Sequence, residues 1–258
     1  MNVGLNLFSL KPFIQNEADF LDTALKLKEM GYSYLQFAGG TFDADVITRV
    51  SQGSGLPFYL THVAIDRILG DTDALMEEHA RFGCTNIGLA AMKPAVIADE
   101  VKCKETIEAL NKAGEKMKQN GFNFFYHHHN FEFYKHGGET VFDYMINNAP
   151  YINFTADTYW LQYGGTSVVD TLKKLKGRIG CVHLKDYGMS FEPTEDGKGR
   201  FVPVFAPVGD GSIDFHAVIE AAKESGTTYF FVEQDNAPKF ENPFEQVKRS
   251  IDYIKKEF

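Results

Sequence analysis

Cysteine is scarce in this chain: three among 258 residues, at Cys84, Cys103 and Cys181, with no C-x-x-C pair. That excludes a disulfide framework, and the thiols read as small buried hydrophobes. Basic charge is also in deficit. Lys and Arg total 26 against 35 Asp and Glu, a formal net charge of −9, with a pI near 5.4. A duplex-binding surface needs a basic footprint, so nucleic acid is not expected as a partner. No apolar run approaches the roughly 20 residues of a bilayer span, so no membrane partner is expected either. No G-x-G-x-x-G follows the first strand and no G-x-x-x-x-G-K-[ST] occurs, which removes the usual phosphate loops of an open nucleotide-binding sheet. The opening MNVGLNLFSLKPF has no basic n-region and no long apolar h-region, so the expectation is a cytoplasmic protein.

What is present is a repeated unit. Short apolar β-type runs alternate with longer helical patterns, and the helices usually stop at glycine. VGLNLF (Val3–Phe8) is followed by a helical Glu17–Met30 and Gly31, then YSYLQFA, then a helical Asp43–Gln52 and Gly53. PFYLTHV leads to Asp71–Phe82 and Gly83, and TNIGLAAM to Asp99–Asn120 and Gly121. FNFFYHHH leads to Thr140–Asn148, INFTAD to Val168–Lys176, IGCVHLKD to Phe215–Ser225, and TYFFVEQD to Pro243–Lys256. Eight β-then-α units with 44% hydrophobic residues predict an α/β protein, a single (β/α)8 TIM barrel, as one domain over 1–258. An open doubly wound sheet is the other arrangement of such units. The long connection Asp186–Ser212 carries Tyr187, Phe191, Phe201, Val202 and Phe205. Its aromatics read equally as a lid or as a contact between copies in a homo-oligomer.

In such a barrel chemistry sits at the C-terminal strand ends. The polar residues expected there are Gln36, His62, Lys93, the run His127, His128, His129 with Glu132, then Asp157 and Trp160, His183, Lys185 and Asp186, and Glu233 and Asp235. Alternation turns His128 away from its neighbours. Glu132, Asp157, His183 and Glu233 would converge as three carboxylates and an imidazole, a donor set suited to Mn²⁺, Mg²⁺ or Co²⁺ rather than to a closed structural zinc. His129 is the alternative donor from strand five. Each of these residues also has an ordinary structural use, Asp157 as a helix cap and Glu233 as a partner of Lys185. In VGDGSIDF, Asp214 reads as a helix cap, and that helix start as a place where an anion would fit.

YHHHNFEF, ADTYW, VHLKD, VGDGSIDF and FFVEQD resemble the sugar phosphate isomerase/epimerase superfamily, the xylose isomerase-like TIM barrels, over nearly the whole chain. Its branches include ketose 3-epimerases, hydroxypyruvate isomerases, inosose dehydratases and enzymes of 3-keto-glycosides. The resemblance implies one divalent metal ion, manganese first with magnesium, cobalt or zinc as alternatives, held by Glu132, Asp157, His183 and Glu233. It implies Glu132 and Glu233 as the acid/base pair with Lys185 as helper, and His62, Lys93, His127, His129 and Trp160 as contacts to a small sugar. The implied activity is isomerisation or epimerisation of an unphosphorylated sugar or keto-sugar. The alternative is a lyase or dehydratase acting on an inosose or 3-keto-glycoside through the same metal. A DNA-repair endonuclease branch needs a histidine where Trp160 stands and an Asp-x-His after strand seven; the chain lacks both in place.

Overall fold

The first unit shows how the units close. Asn16 accepts a hydrogen bond from the Asp19 backbone N–H at 3.0 Å and so caps the helix Glu17–Met30. Phe20, Ala24 and Leu27 form its buried stripe. Gly31 ends it at φ +97°, where a Cβ would be strained. The computed structural model describes residues 1–258 and repeats this logic around a closed barrel.

The barrel strands are β1 Gly4–Asn6, β2 Tyr34–Phe37, β3 Phe58–His62, β4 Asn86–Leu89, β5 Asn123–His127, β6 Ile152–Asp157, β7 Ile179–Leu184 and β8 Phe230–Val232. All neighbours pair in parallel, and β8 closes onto β1. The fold is therefore the α/β barrel the repeats predict. No helix is long and apolar enough to cross a membrane. All three cysteines are buried and free.

Two hydrophobic layers result. A large one lies between strands and helices. A small one, Tyr34, Leu60, Phe125, Cys181 and Phe231, is a separate cluster contributed by alternate residues of five strands. Two residues further along the same strands stand Gln36, His62, His127, His183 and Glu233, and Asp157 stands two beyond the buried Thr155. Strand periodicity of two thus sets a polar layer on an apolar plug. Two irregularities keep the phase. Leu35 pairs with Phe58 but Gln36 with Leu60, so Tyr59 is an extra residue in β3. Phe154 pairs with Ile179 but Thr155 with Cys181, so Gly180 is an extra residue in β7. The Tyr59 hydroxyl donates to the Gly180 carbonyl at 3.1 Å, tying the two together.

Some local expectations shift. The first strand ends at Asn6, whose side chain accepts from the Phe8 N–H and opens the 3-10 segment Leu7–Phe13. The second helix, Ala44–Ser54, runs past Gly53 and ends at Gly55, φ +69°. The long connection is an antiparallel hairpin, Asp186–Glu192 with Arg200–Ala206. Its base rings Tyr187 and Phe205 pack on Tyr159, and Phe205 also on Trp160. Phe191 and Phe201 stay exposed at its far end. The expected anion position near VGDGSIDF has an internal occupant. Asp186 accepts from the N–H groups of Tyr187, Gly209, Gly211, Ser212 and Ile213 at 2.8–3.2 Å. Asp214 caps the helix Phe215–Glu224 through the Ala217 N–H.

Candidate active site

Four ligand-type side chains meet in the polar layer. One donor atom from each of His127, Asp157, His183 and Glu233 lies within 4.8 Å of the other three, and all four residues are buried. Atoms about 2.1 Å from one shared ion lie ~3–4 Å apart, so the group is of the right size for a metal. His127 Nε2 is 3.2 Å from Asp157 Oδ2. His183 Nδ1 is 3.8 Å from the same oxygen and 2.6 Å from Glu233 Oε2. His183 Nδ1 and Glu233 Oε2 are both buried, and the nearest polar partner of each is the other; against the burial that lowers it, the carboxylate pushes the imidazole up to about 10. A proton shared between them satisfies this buried pair, and a cation bound by the four donors could take its place. Two imidazoles and two carboxylates form a mixed N/O set that fits a divalent ion with room for substrate oxygens.

Each member is aimed by its neighbours. Asp157 is the N-cap of the helix Thr158–Tyr163. Its Oδ1 accepts from the Trp160 N–H, which leaves Oδ2 for the group. The Asp157 N–H donates to His128 Nε2 at 3.1 Å, so His128 braces the β6 backbone from the outer side. Asp157 and His183 are register partners across β6 and β7. Lys185 follows, 1% exposed, with Nζ 2.8 Å from Asp235, 3.6 Å from Glu233 and 3.7 Å from Asp157. Its ammonium also lies 5.2 Å from the Trp160 ring and 5.1 Å from Phe205.

Electrostatics follow the burial. Desolvation raises the Glu233 carboxyl, but Lys185 and His183 override it and hold it below the ordinary range. Desolvation likewise depresses Lys185, and Glu233, Asp157 and Asp235 override it and raise it. Burial raises Asp157 against the Lys185 ammonium. Burial pulls His127 well below its usual value and His62 down to about 3, so both are neutral imidazoles.

The structure separates two residues expected to act together. Glu132 does not reach the group; its strand-five member is His127, in the place where Glu132 or His129 was expected. The chain leaves β5 at His127, and Glu132 folds back beneath the turn. Tyr126 Oη donates to its Oε1 at 2.5 Å and the His129 N–H to its Oε2 at 2.8 Å. The Met92 N–H donates to Tyr126 Oη, joining the β4 loop to the same knot. Burial raises the Glu132 carboxyl to about 7. His129 stacks on Phe131 with its centroid 4.9 Å from Trp160, and its Nδ1 is buried and unpartnered. His62 stacks on His127 at 5.3 Å. Lys93 is exposed at the start of the helix Pro94–Ala98, and no hydrogen bond or ion pair ties it to the group. Asp235 and Gln36 had no assigned role from sequence. The two-residue step from Phe125 to His127, shared with Tyr34–Gln36 and Phe231–Glu233, is the signal that selects His127. A separate cavity of about 640 Å³ opens among Tyr34, Tyr59 and Tyr229 at the N-terminal ends of the strands and carries none of this chemistry.

A closed parallel barrel with imidazoles and carboxylates gathered at its C-terminal strand ends defines a class, the TIM barrels with a polar group that could hold an ion at that face. Residues 63–257 match the model of the xylose isomerase-like TIM barrel, and the chain belongs to that family. It is 26% identical over 248 residues to an inosose dehydratase of Clostridium perfringens, covering 93% of this chain and 81% of that relative. It is 32% identical over 157 residues to an inosose dehydratase of Geobacillus thermodenitrificans, covering 58% of this chain. The chain spans about half the length of that second relative, 52%. The solved structure of a sugar phosphate isomerase/epimerase from Parabacteroides distasonis superposes with a TM-score of 0.81 at 21% identity, covering 99% of this chain and 94% of the other. That is a likeness of fold.

Proposed function

We propose that the chain is a divalent-metal-dependent enzyme that removes the proton beside a carbonyl of an unphosphorylated sugar or keto-sugar. The observation that carries this reading is the gathering of four buried donors, with His183 Nδ1 and Glu233 Oε2 only 2.6 Å apart within the group. A divalent ion held by His127, Asp157, His183 and Glu233 would stabilise the oxyanion that forms when such a proton leaves, and manganese heads the candidates, with magnesium, cobalt and zinc behind it. Glu233 is kept ionised by its neighbours and is the base for the proton. Lys185 is the cationic partner, and Asp235, with a side chain 24% exposed, links it towards solvent. His62, His129 and Trp160 line the half-buried approach and would contact substrate hydroxyls. The turn that could have offered N–H groups to a phosphate is filled by Asp186, which favours an unphosphorylated substrate.

Loss of water is the outcome the geometry supports best. Epimerisation by two carboxylates takes the proton from one face and returns it to the other, and Glu132, the second carboxylate expected for that, is committed to Tyr126 and His129. One base beside one ammonium suits elimination. Glu233 takes the α-proton, the electron pair forms the new double bond, and the β-hydroxyl leaves as water with a proton from Lys185. A cyclic polyhydroxy ketone of the inosose type is the substrate class, and the names of the curated relatives agree with it. Isomerisation or epimerisation of a ketose is the second reading, supported by His62, a neutral imidazole at the rim whose ring N–H could steady a substrate oxygen while Glu233, protonated in the first step, returns the proton.

The test is incubation of the Mn²⁺- or Mg²⁺-loaded protein with inososes, ketoses and 3-keto-glycosides in D2O. Enone formation with loss of water supports elimination. Deuterium at the α-carbon without loss of water supports the second reading. Lys185→Met should keep α-proton exchange while water loss falls at least ~100-fold. A loaded protein that neither exchanges nor converts any of these would sink the proposal.

A further inference from the structure

Gln36 stands at the end of β2, fully buried, where the extra residue Tyr59 sets its pairing with Leu60. Its amide spans two histidines from different strands. Oε1 accepts from His183 Nε2–H at 2.7 Å, and the NH2 group donates to His62 Nε2 at 2.9 Å. We infer that Gln36 is a positioning residue: it holds the proton of His183 on Nε2, so that Nδ1 keeps its lone pair for the ion, and it makes His62 an acceptor at Nε2. This rests on the metal-centre reading given above.

The two ends of the amide are not equivalent in effect. With the amide turned over, its NH2 would face His183 Nε2, which would have to accept. The ring proton would then sit on Nδ1, the atom facing Asp157 and Glu233, and the ring could not serve as a ligand. A partner on the far nitrogen of a ligating histidine fixes both tautomer and ring orientation, and its removal typically weakens metal binding about 10–100-fold. Glutamine is the side chain that satisfies both histidines at once, because one needs an acceptor and the other a donor. Leucine or methionine at this position would leave both ring nitrogens buried without a partner.

The experiment compares the full-length wild type with Gln36→Met, matched in volume, and Gln36→Glu, which keeps the acceptor. Mn²⁺ affinity is measured by chelator competition at about pH 8, above the ordinary imidazole range of about 6.5. In Mg²⁺-loaded samples the slowly exchanging His183 Nε2–H proton is followed by NMR. Gln36→Met should bind Mn²⁺ 10–100-fold more weakly and lose the protected proton. Gln36→Glu should hold affinity within a few-fold of wild type or better and keep it. A folded Gln36→Met with wild-type affinity, or a Gln36→Glu as weak as Gln36→Met, overturns the assignment of Gln36 alone. Failure of the wild type itself to take up Mn²⁺ overturns the metal-centre reading and this inference together.

Discussion

Among the residues, His127 and Glu132 stand in places opposite to those their types suggest. A glutamate five positions beyond a strand end looks like a ligand, yet it is fully buried and held by two donors. A histidine inside the strand looks like lining, yet alternation aims it into the donor group. His127→Ala should therefore lose bound ion in elemental analysis while remaining folded. Glu132→Gln should keep the ion and lose about 1–3 kcal/mol of stability, because its one amide oxygen cannot accept from both the His129 N–H and the Tyr126 hydroxyl. Ion loss in Glu132→Gln with retention in His127→Ala would restore Glu132 as the ligand. His79 makes a pH prediction remote from the site. Its ring pairs with the Leu75 carbonyl through Nδ1 and with the Thr61 hydroxyl through Nε2, as a neutral tautomer. Burial lowers its pKa to about 4. The unfolded chain then binds more protons between about pH 4 and the ordinary 6.5, so stability rises with pH in that window. The contribution, about 3 kcal/mol, is complete above pH ~6.5 and is lost as pH falls through about 4. Unfolding midpoints against pH should show a shallower slope in His79→Phe; an unchanged slope would place the effect elsewhere.

Single elements hold the site in phase. Gly180 is the extra residue of β7, and a Cβ there would meet the Phe125 ring at 1.7 Å. Gly180→Ala should cost roughly 1–3 kcal/mol through overpacking and should weaken ion binding, since His183 lies three residues on. Denaturant midpoints and Mn²⁺ titration check both; an unperturbed affinity would mean that β7 absorbs the strain below Cys181. The hairpin is anchored by Asp186, whose carboxylate gathers five backbone N–H groups. Asp186→Ala strands those donors and should cost at least about 3 kcal/mol. It should also loosen Tyr187 and Phe205 from Tyr159, read as faster amide exchange across the hairpin. A hairpin equally protected in the variant would show that its aromatic packing suffices.

For the molecule as a whole, an ion bound only by the folded state must raise its stability. At 100 times the dissociation constant the gain is about 2.7 kcal/mol. Adding Mn²⁺ should raise the melting temperature of the wild type, chelator should reverse the rise, and Asp157→Ala should show none. A rise of equal size in Asp157→Ala would move the ion to another site. Much of this molecule is legible in its sequence, because helix stripes, asparagine and aspartate caps, glycine stops and strand runs are local physics over a few residues. From them alone came eight β-then-α units, the closed barrel, and the polar face bearing Asp157, His183 and Glu233. Tertiary structure decided the rest. Which strand-five side chain joins them depends on where β5 ends and on Tyr126 and His129 claiming Glu132. Whether an outside anion meets the GDGSI turn depends on Asp186 arriving there first. The bridge through Gln36 depends on extra residues in β3 and β7 that no local pattern announces. These contacts join residues tens of positions apart, and their geometry exists only once the barrel has closed.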